Sequence, residues 1–118
     1  MAENISDIIE YDGLFLKTNS SIANKVIVNV KGRLETANSI HFLDHMTKLV
    51  EGSPHGCELI LAMSELYYVS STGIGAFTTI LVISKKRNIK FYIKNMQPKV
   101  KSVLELLGFT AFFNFIEE

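Results

Sequence analysis

Tyr67-Tyr68-Val69-Ser70-Ser71-Thr72-Gly73-Ile74-Gly75-Ala76-Phe77 joins two apolar runs of different character. Ahead of it, Leu59-Ile60-Leu61-Ala62-Met63 is short, continuous and apolar, the pattern of a central strand. Behind it, Ile74, Phe77, Ile80, Leu81 and Ile83 recur at helical spacing. Ser or Thr just before a helix accepts a hydrogen bond from an orphan N–H of the first turn. The same N-terminus, with its free N–H groups and dipole, favours a phosphate. Gly73 and Gly75 allow other backbone or a partner to come close.

Working outward, Leu14–Lys17 and Lys25–Val30 read as strands around the turn residues Asn19-Ser20-Ser21, close enough to pair antiparallel. Residues 1–12 are expected to be loosely held. Gly32-Arg33-Leu34-Glu35 ends the second strand, and Thr36 caps a helix reaching about Val50. Ile40, Leu43, Met46 and Val50 form its buried face, with Ser39, His41, Asp44, His45 and Lys48 on the other. Gly52 at C′ and Pro54 close it. Phe91-Tyr92-Ile93 is a further strand, and Pro98 opens a helix at its first position. Gly108 ends that helix, and the apolar tail through Ile116 packs at the domain edge or adds a short strand. Two strand–helix–strand units imply parallel strands joined by right-handed crossovers. The fold expected is α/β: a small mixed sheet of four to five strands with helices packed on it, one domain over residues 1–118.

Bulk properties exclude several classes. With 12 Lys+Arg against 12 Asp+Glu, the overall charge offers nothing to nucleic acid or an anionic membrane surface. No apolar run approaches the ~20 residues of a membrane span, and the acidic Met1–Glu10 segment lacks the pattern of a signal peptide. The single Cys57 excludes an internal disulfide and fits a reducing compartment. A cytoplasmic protein is expected.

Catalytic and metal motifs fail on spacing. Thr78 stands where G-x-G-x-x-G needs its last glycine, and no Gly-Lys-Ser/Thr follows. Neither Ser70 nor Ser71 has the glycines of a hydrolase elbow. His41 and His45 are one helical turn apart but lack a partner motif, so solvated helix residues are the simpler reading. Cys57 reads as a small core residue, and Lys85-Lys86-Arg87 as a match to a helix C-terminus. Tyr67 and Tyr68 fit docking aromatics or partly buried packing equally well. No cofactor and no metal site is expected.

Three segments resemble the STAS domain family, specifically its free-standing bacterial anti-sigma factor antagonists. Val30–Glu35 looks like the family's strand-exit motif, and Leu59–Ser64 like the strand leading to its switch. Val69–Gly75 looks like its Asp-Ser-Ser/Thr-Gly-Leu-Gly signature. By that resemblance Ser71 matches a serine phosphorylated by a partner that is both anti-sigma factor and ATPase-type serine/threonine kinase. Unmodified antagonist would bind the kinase and free its client. Phosphorylation would release it, and a serine phosphatase would reset it. The implied partner surface is Gly32, Arg33, Glu35, Ser70, Thr72, Gly73, Ile74 and Gly75, with Ile74 as an apolar contact. The chain would be a regulator, not an enzyme. Ser70 and Ala62 stand where the family usually has Asp, and both positions are expected near the switch serine. Those departures keep a second class open: a STAS scaffold or ligand-binding module without a phosphoswitch. A third is a transporter-associated regulatory subunit.

Overall fold

The computed structural model describes residues 7–117. Among them are six strands, β1 Ile9–Tyr11, β2 Leu14–Asn19, β3 Lys25–Leu34, β4 Glu58–Val69, β5 Lys90–Lys94 and β6 Asn114–Ile116. Three helices, α1 Thr36–Glu51, α2 Ser71–Lys86 and α3 Pro98–Leu106, alternate with them, and a 3₁₀ turn, Thr110–Phe112, precedes β6. One sheet contains all six strands in the order β1-β2-β3-β4-β5-β6. The first two junctions are antiparallel and the other three parallel. The mixed α/β architecture is as expected, with six strands in place of four to five.

The extra strand comes from a segment taken as loose. Ile9–Tyr11 pairs with Leu14–Leu16 across the tight turn at Asp12-Gly13. Residues 1–6, and the signal-peptide reading that rests on them, lie outside the described residues.

Burial in β3 alternates strictly: Val26, Val28, Val30 and Leu34 point into the core, while Lys25, Asn29, Lys31 and Arg33 face solvent. β4 behaves differently. It does not stop at Met63 but runs to Val69. Between Asn29 and Lys31 of β3, two steps face three on β4, from Ala62 to Glu65. Between Gly32 and Arg33, one step faces two, from Leu66 to Tyr68. Each extra β4 residue is a bulge that increases twist and breaks the two-residue alternation. Core positions in this stretch are therefore Met63, Leu66 and Val69.

Against the buried face lie Phe42, Met46 and Val50 of α1 and Ile74, Phe77, Ile80 and Leu81 of α2. Phe42 and Phe77 meet edge-on, with ring centres 6.0 Å apart, a geometry that adds to their area burial. The α1 face differs from the expected one. Ile40 is 70% exposed, whereas Ser39 is buried beside Phe42. Gly52 is the C-cap itself, in right-handed conformation, not the residue beyond it. At the end of α2, Arg87 Nη2 donates to the Ser53 carbonyl at 2.7 Å and ties the two helix ends together. After α3, Phe109 N–H donates to the Leu104 carbonyl and Gly108 N–H to that of Glu105, the paired bonds of a Schellman stop.

Candidate functional site

β3 and β4 end side by side, and their exits build one surface. Ser70 N–H donates to the Leu34 carbonyl at 2.9 Å, locking the two exits together. Ser70 is the α2 N-cap: its backbone is extended and its Oγ accepts from Gly73 N–H at 3.1 Å. That places Ser71 at the first helical position, exposed to solvent. Thr72 is also exposed, but its Oγ1 lies 3.2 Å from Thr36 Oγ1 in the first turn of α1. Two helix N-termini thus meet through a pair of hydroxyls. Of the three consecutive hydroxyls, Ser70 is taken by the cap and Thr72 by α1, while the Ser71 hydroxyl has no hydrogen-bond partner among the described residues.

The glycines divide by role. At Gly73 a Cβ would come within 2.8 Å of Leu34 Cγ and Cδ2 and 2.9 Å of Val69 Cγ2, so the bare backbone is what lets α2 seat against both strand exits. Gly75 has nothing of this chain within 4 Å of a built Cβ and is exposed. Gly32 has φ +105, and a Cβ there would collide with the Gly13 carbonyl oxygen; this position is closed to other residues on both counts. Ile74 is 1% exposed. It belongs to the core, because helical rotation from the Ser70 cap turns it inward and leaves Ser71 and Gly75 outward.

The neighbouring loop is rigidly braced. Asn38, 1% exposed, accepts from Glu35 N–H at 2.8 Å through Oδ1. Its Nδ2 donates to the carbonyls of Asp12 and Arg33, at 3.2 and 3.0 Å. One buried amide therefore joins the β1–β2 turn, the β3 exit and the α1 N-terminus. Outside this brace, Arg33 Nε and Nη2 donate to both Glu35 carboxylate oxygens at 3.2 Å. The guanidinium also stacks over the Tyr68 ring, 5.0 Å from its centre. Its hydrogen bond to Glu35, and then the charge of Glu35, raise the Arg33 pKa above its ordinary value.

Ala62 is not near Ser71. Because β4 continues for seven residues beyond Ala62, the two are separated by on the order of 25 Å of strand. Ala62 sits mid-sheet between Asn29 and Lys94. Sequence reasoning did not single out Asn38, Thr36 as the partner of Thr72, or Ile40 as a surface residue. Placing Phe42 on the α1 core face would have found the last of these.

No cluster of three or more metal-ligating side chains occurs among the described residues. His41 stacks on Tyr11 at 5.6 Å, and His45 Nδ1 lies 3.2 Å from the Tyr11 hydroxyl. No helix among them is long and apolar enough to cross a membrane.

The described geometry has counterparts in known proteins. A family model for the STAS domain matches residues 16–118. The chain belongs to the STAS domain family. Its fold is similar to that of an anti-sigma factor antagonist from Mycobacterium paratuberculosis: TM-score 0.76, 16% identity, 90% of this chain and 87% of that one. It is also similar to the anti-sigma factor antagonist SpoIIAA in its unphosphorylated form, with TM-score 0.72, 13% identity and 87% of each chain covered. The murine anion transporter Slc26a9 matches 92% of this chain with 19% of its own, at TM-score 0.68 and 22% identity. At these identities the likeness is one of fold. No curated protein sequence matches the chain.

Proposed function

We propose that this STAS domain is an anti-sigma factor antagonist working by partner switching. Unphosphorylated, it binds an anti-sigma factor that is also an ATPase-type serine/threonine kinase, and so frees that protein's client. Phosphorylation of Ser71 ends the complex, and a serine phosphatase restores the hydroxyl. The domain itself carries out no catalysis and works in the cytoplasm without a cofactor or nucleic acid.

The observation that carries this reading is the division of labour among the three hydroxyls. Ser71 is exposed and at the first position of α2, and its hydroxyl has no hydrogen-bond partner among the described residues, so a kinase can take it without breaking a side-chain contact. A phosphate there has helix N–H groups beside it, which spares the fold. Its −1.5 to −2 charges oppose burial against a partner. The partner surface comprises Arg33, Glu35, Ser71, Thr72 and Gly75, with Gly32, Ser70, Gly73 and Ile74 holding it from beneath. Gly75 leaves room for close approach of another chain.

The test is a pull-down from native-host lysate with Ser71→Ala and Ser71→Glu baits, read by mass spectrometry. An ATPase-type kinase held by the first bait and lost from the second is the expected result. Equal capture by both would make Ser71 an ordinary helix residue and overturn the switch.

A further inference from the structure

All three helices pack on one face of the sheet. Phe42 and Met46 of α1, Phe77 and Ile80 of α2, and Val100 and Leu104 of α3 join a single core cluster with Leu59, Leu61 and Ile93. The outer face has no helix against it among the described residues. Its centre is apolar. Ile60 of β4 pairs with Ile27 of β3 on one side and Tyr92 of β5 on the other. Ile60 is 6% exposed, yet it stands outside the core cluster, as do the half-buried Ile27, Ala62 and Tyr92. Strand side chains alternate between faces, so these four share the outer one. Lysines border them on both flanks: Lys25 and Lys31 on β3, Lys90 and Lys94 on β5. Lys17 of β2 joins them, in a groove of about 330 Å³ with Phe15, Asn29, Lys31 and Glu65. Against these lysines the same face carries Glu10, Glu58 and Glu65. Cationic charge is thus gathered here in a chain whose formal net charge is zero.

We propose that this face docks an acidic amphipathic helix of a partner protein, laid along β4. Its apolar stripe sits on Ile60 and Ala62, between Ile27 and Tyr92. Parallel strands ordinarily have helices on both faces. β3, β4, β5 and β6 run parallel with helices on one, so a docked helix completes that layering. An added strand finds nothing here, because β4 from Glu58 to Ala62 is paired on both sides. The lysines select the charge: carboxylates along one flank of the helix meet Lys25 and Lys31, and those along the other meet Lys90 and Lys94. About three helical turns, ~16 Å, run beside the ~20 Å of β3 between Lys25 and Lys31. A second copy of this chain would set the same lysines against each other. A nucleic acid or an anionic membrane would bring phosphates onto Glu58 and Glu65. The surface serves whether or not Ser71 is a switch.

The experiment selects a displayed library of helical peptides on the full wild-type chain, with counter-selection on the double variant Lys31→Glu/Lys90→Glu. Enriched peptides are titrated by fluorescence anisotropy against wild type, the double variant, Ala62→Arg and Ser71→Glu, with circular dichroism as the folding control. Expected are peptides with an apolar stripe flanked by Asp or Glu, whose amide shift changes fall on residues 25–31, 58–62 and 90–94. Affinity should drop about tenfold or more in the double variant, where both substituted lysines are exposed, and stay unchanged in Ser71→Glu. The proposal is overturned by no enrichment, by peptides without acidic flanks, or by equal affinity for the double variant. Shift changes centred on the α1 and α2 N-termini would overturn it too, as would tighter binding of single-stranded RNA or anionic phospholipid vesicles than of the peptides.

Discussion

Ser70 and Ser71 are chemically identical neighbours with separate work. Ser70→Ala removes the α2 cap and should cost about 1 kcal/mol, within the range of such losses. Ser71→Ala should change stability by less than about 0.5 kcal/mol. Urea denaturation of the two variants separates them, and equal losses would mean the cap is shared. The two α2 glycines should part company as well. Gly73→Ala pushes a methyl into Leu34 and Val69 and should destabilise by about 1–3 kcal/mol. Gly75→Ala meets nothing and should stabilise α2 by up to about 1 kcal/mol, while weakening any partner that uses its bare backbone. The hydroxyl run was readable in the sequence as a helix start. Which hydroxyl caps was not, because a helix shifted by one residue has the same apolar pattern, and only the Ser70–Leu34 tie between strand exits decides it.

Elements reveal a different kind of legibility. α1 was found in place, but its core face was read from Ile40 and not Phe42. A stripe drawn through Ile40, Leu43, Met46 and Val50 is nearly as helical as the true one, and the tertiary partner Phe77 breaks the tie. β4 was cut short for a physical reason: its two bulges turn an every-second pattern into Met63, Leu66 and Val69, which no strand template matches. β1 was missed because a three-residue strand with exposed Ile9 and Glu10 and a half-buried Tyr11 carries no periodic signal. Its hold on α1 runs through Tyr11 and gives a pH dependence. Burial, the largest influence, lowers the pKa of His45 from 6.5, against Asp44 and with help from Lys48. The folded state therefore binds its proton later than the unfolded chain does. Stability from this site is complete above about pH 6.5 and declines as pH falls from there toward the lowered folded value. Denaturation midpoints between pH 5 and 8 should show this slope in wild type and a shallower one in His45→Gln.

At the scale of the whole molecule, the seam between α1 and α2 decides whether the two helix N-termini stay in register. Phe42→Ala opens a cavity against Phe77 and should cost about 3–5 kcal/mol, a large part of a typical domain's total. Its effect should reach beyond stability. With the Thr36–Thr72 contact no longer held from below, amide shifts at the starts of both helices should move together in the folded fraction. A change confined to residues around position 42 would mean the surface is set locally by the Asn38 brace. The α/β plan itself was legible because alternating strands and helices leave few topologies open.

The strand order has a further consequence, for synthesis. Every strand lies beside the one made just before it, so the sheet grows from one side as the chain leaves the ribosome, with no strand waiting for a distant partner. Such vectorial assembly keeps only one new edge open at any moment, and it spares the growing chain the long-lived exposed edges that lead nascent sheet proteins to aggregate.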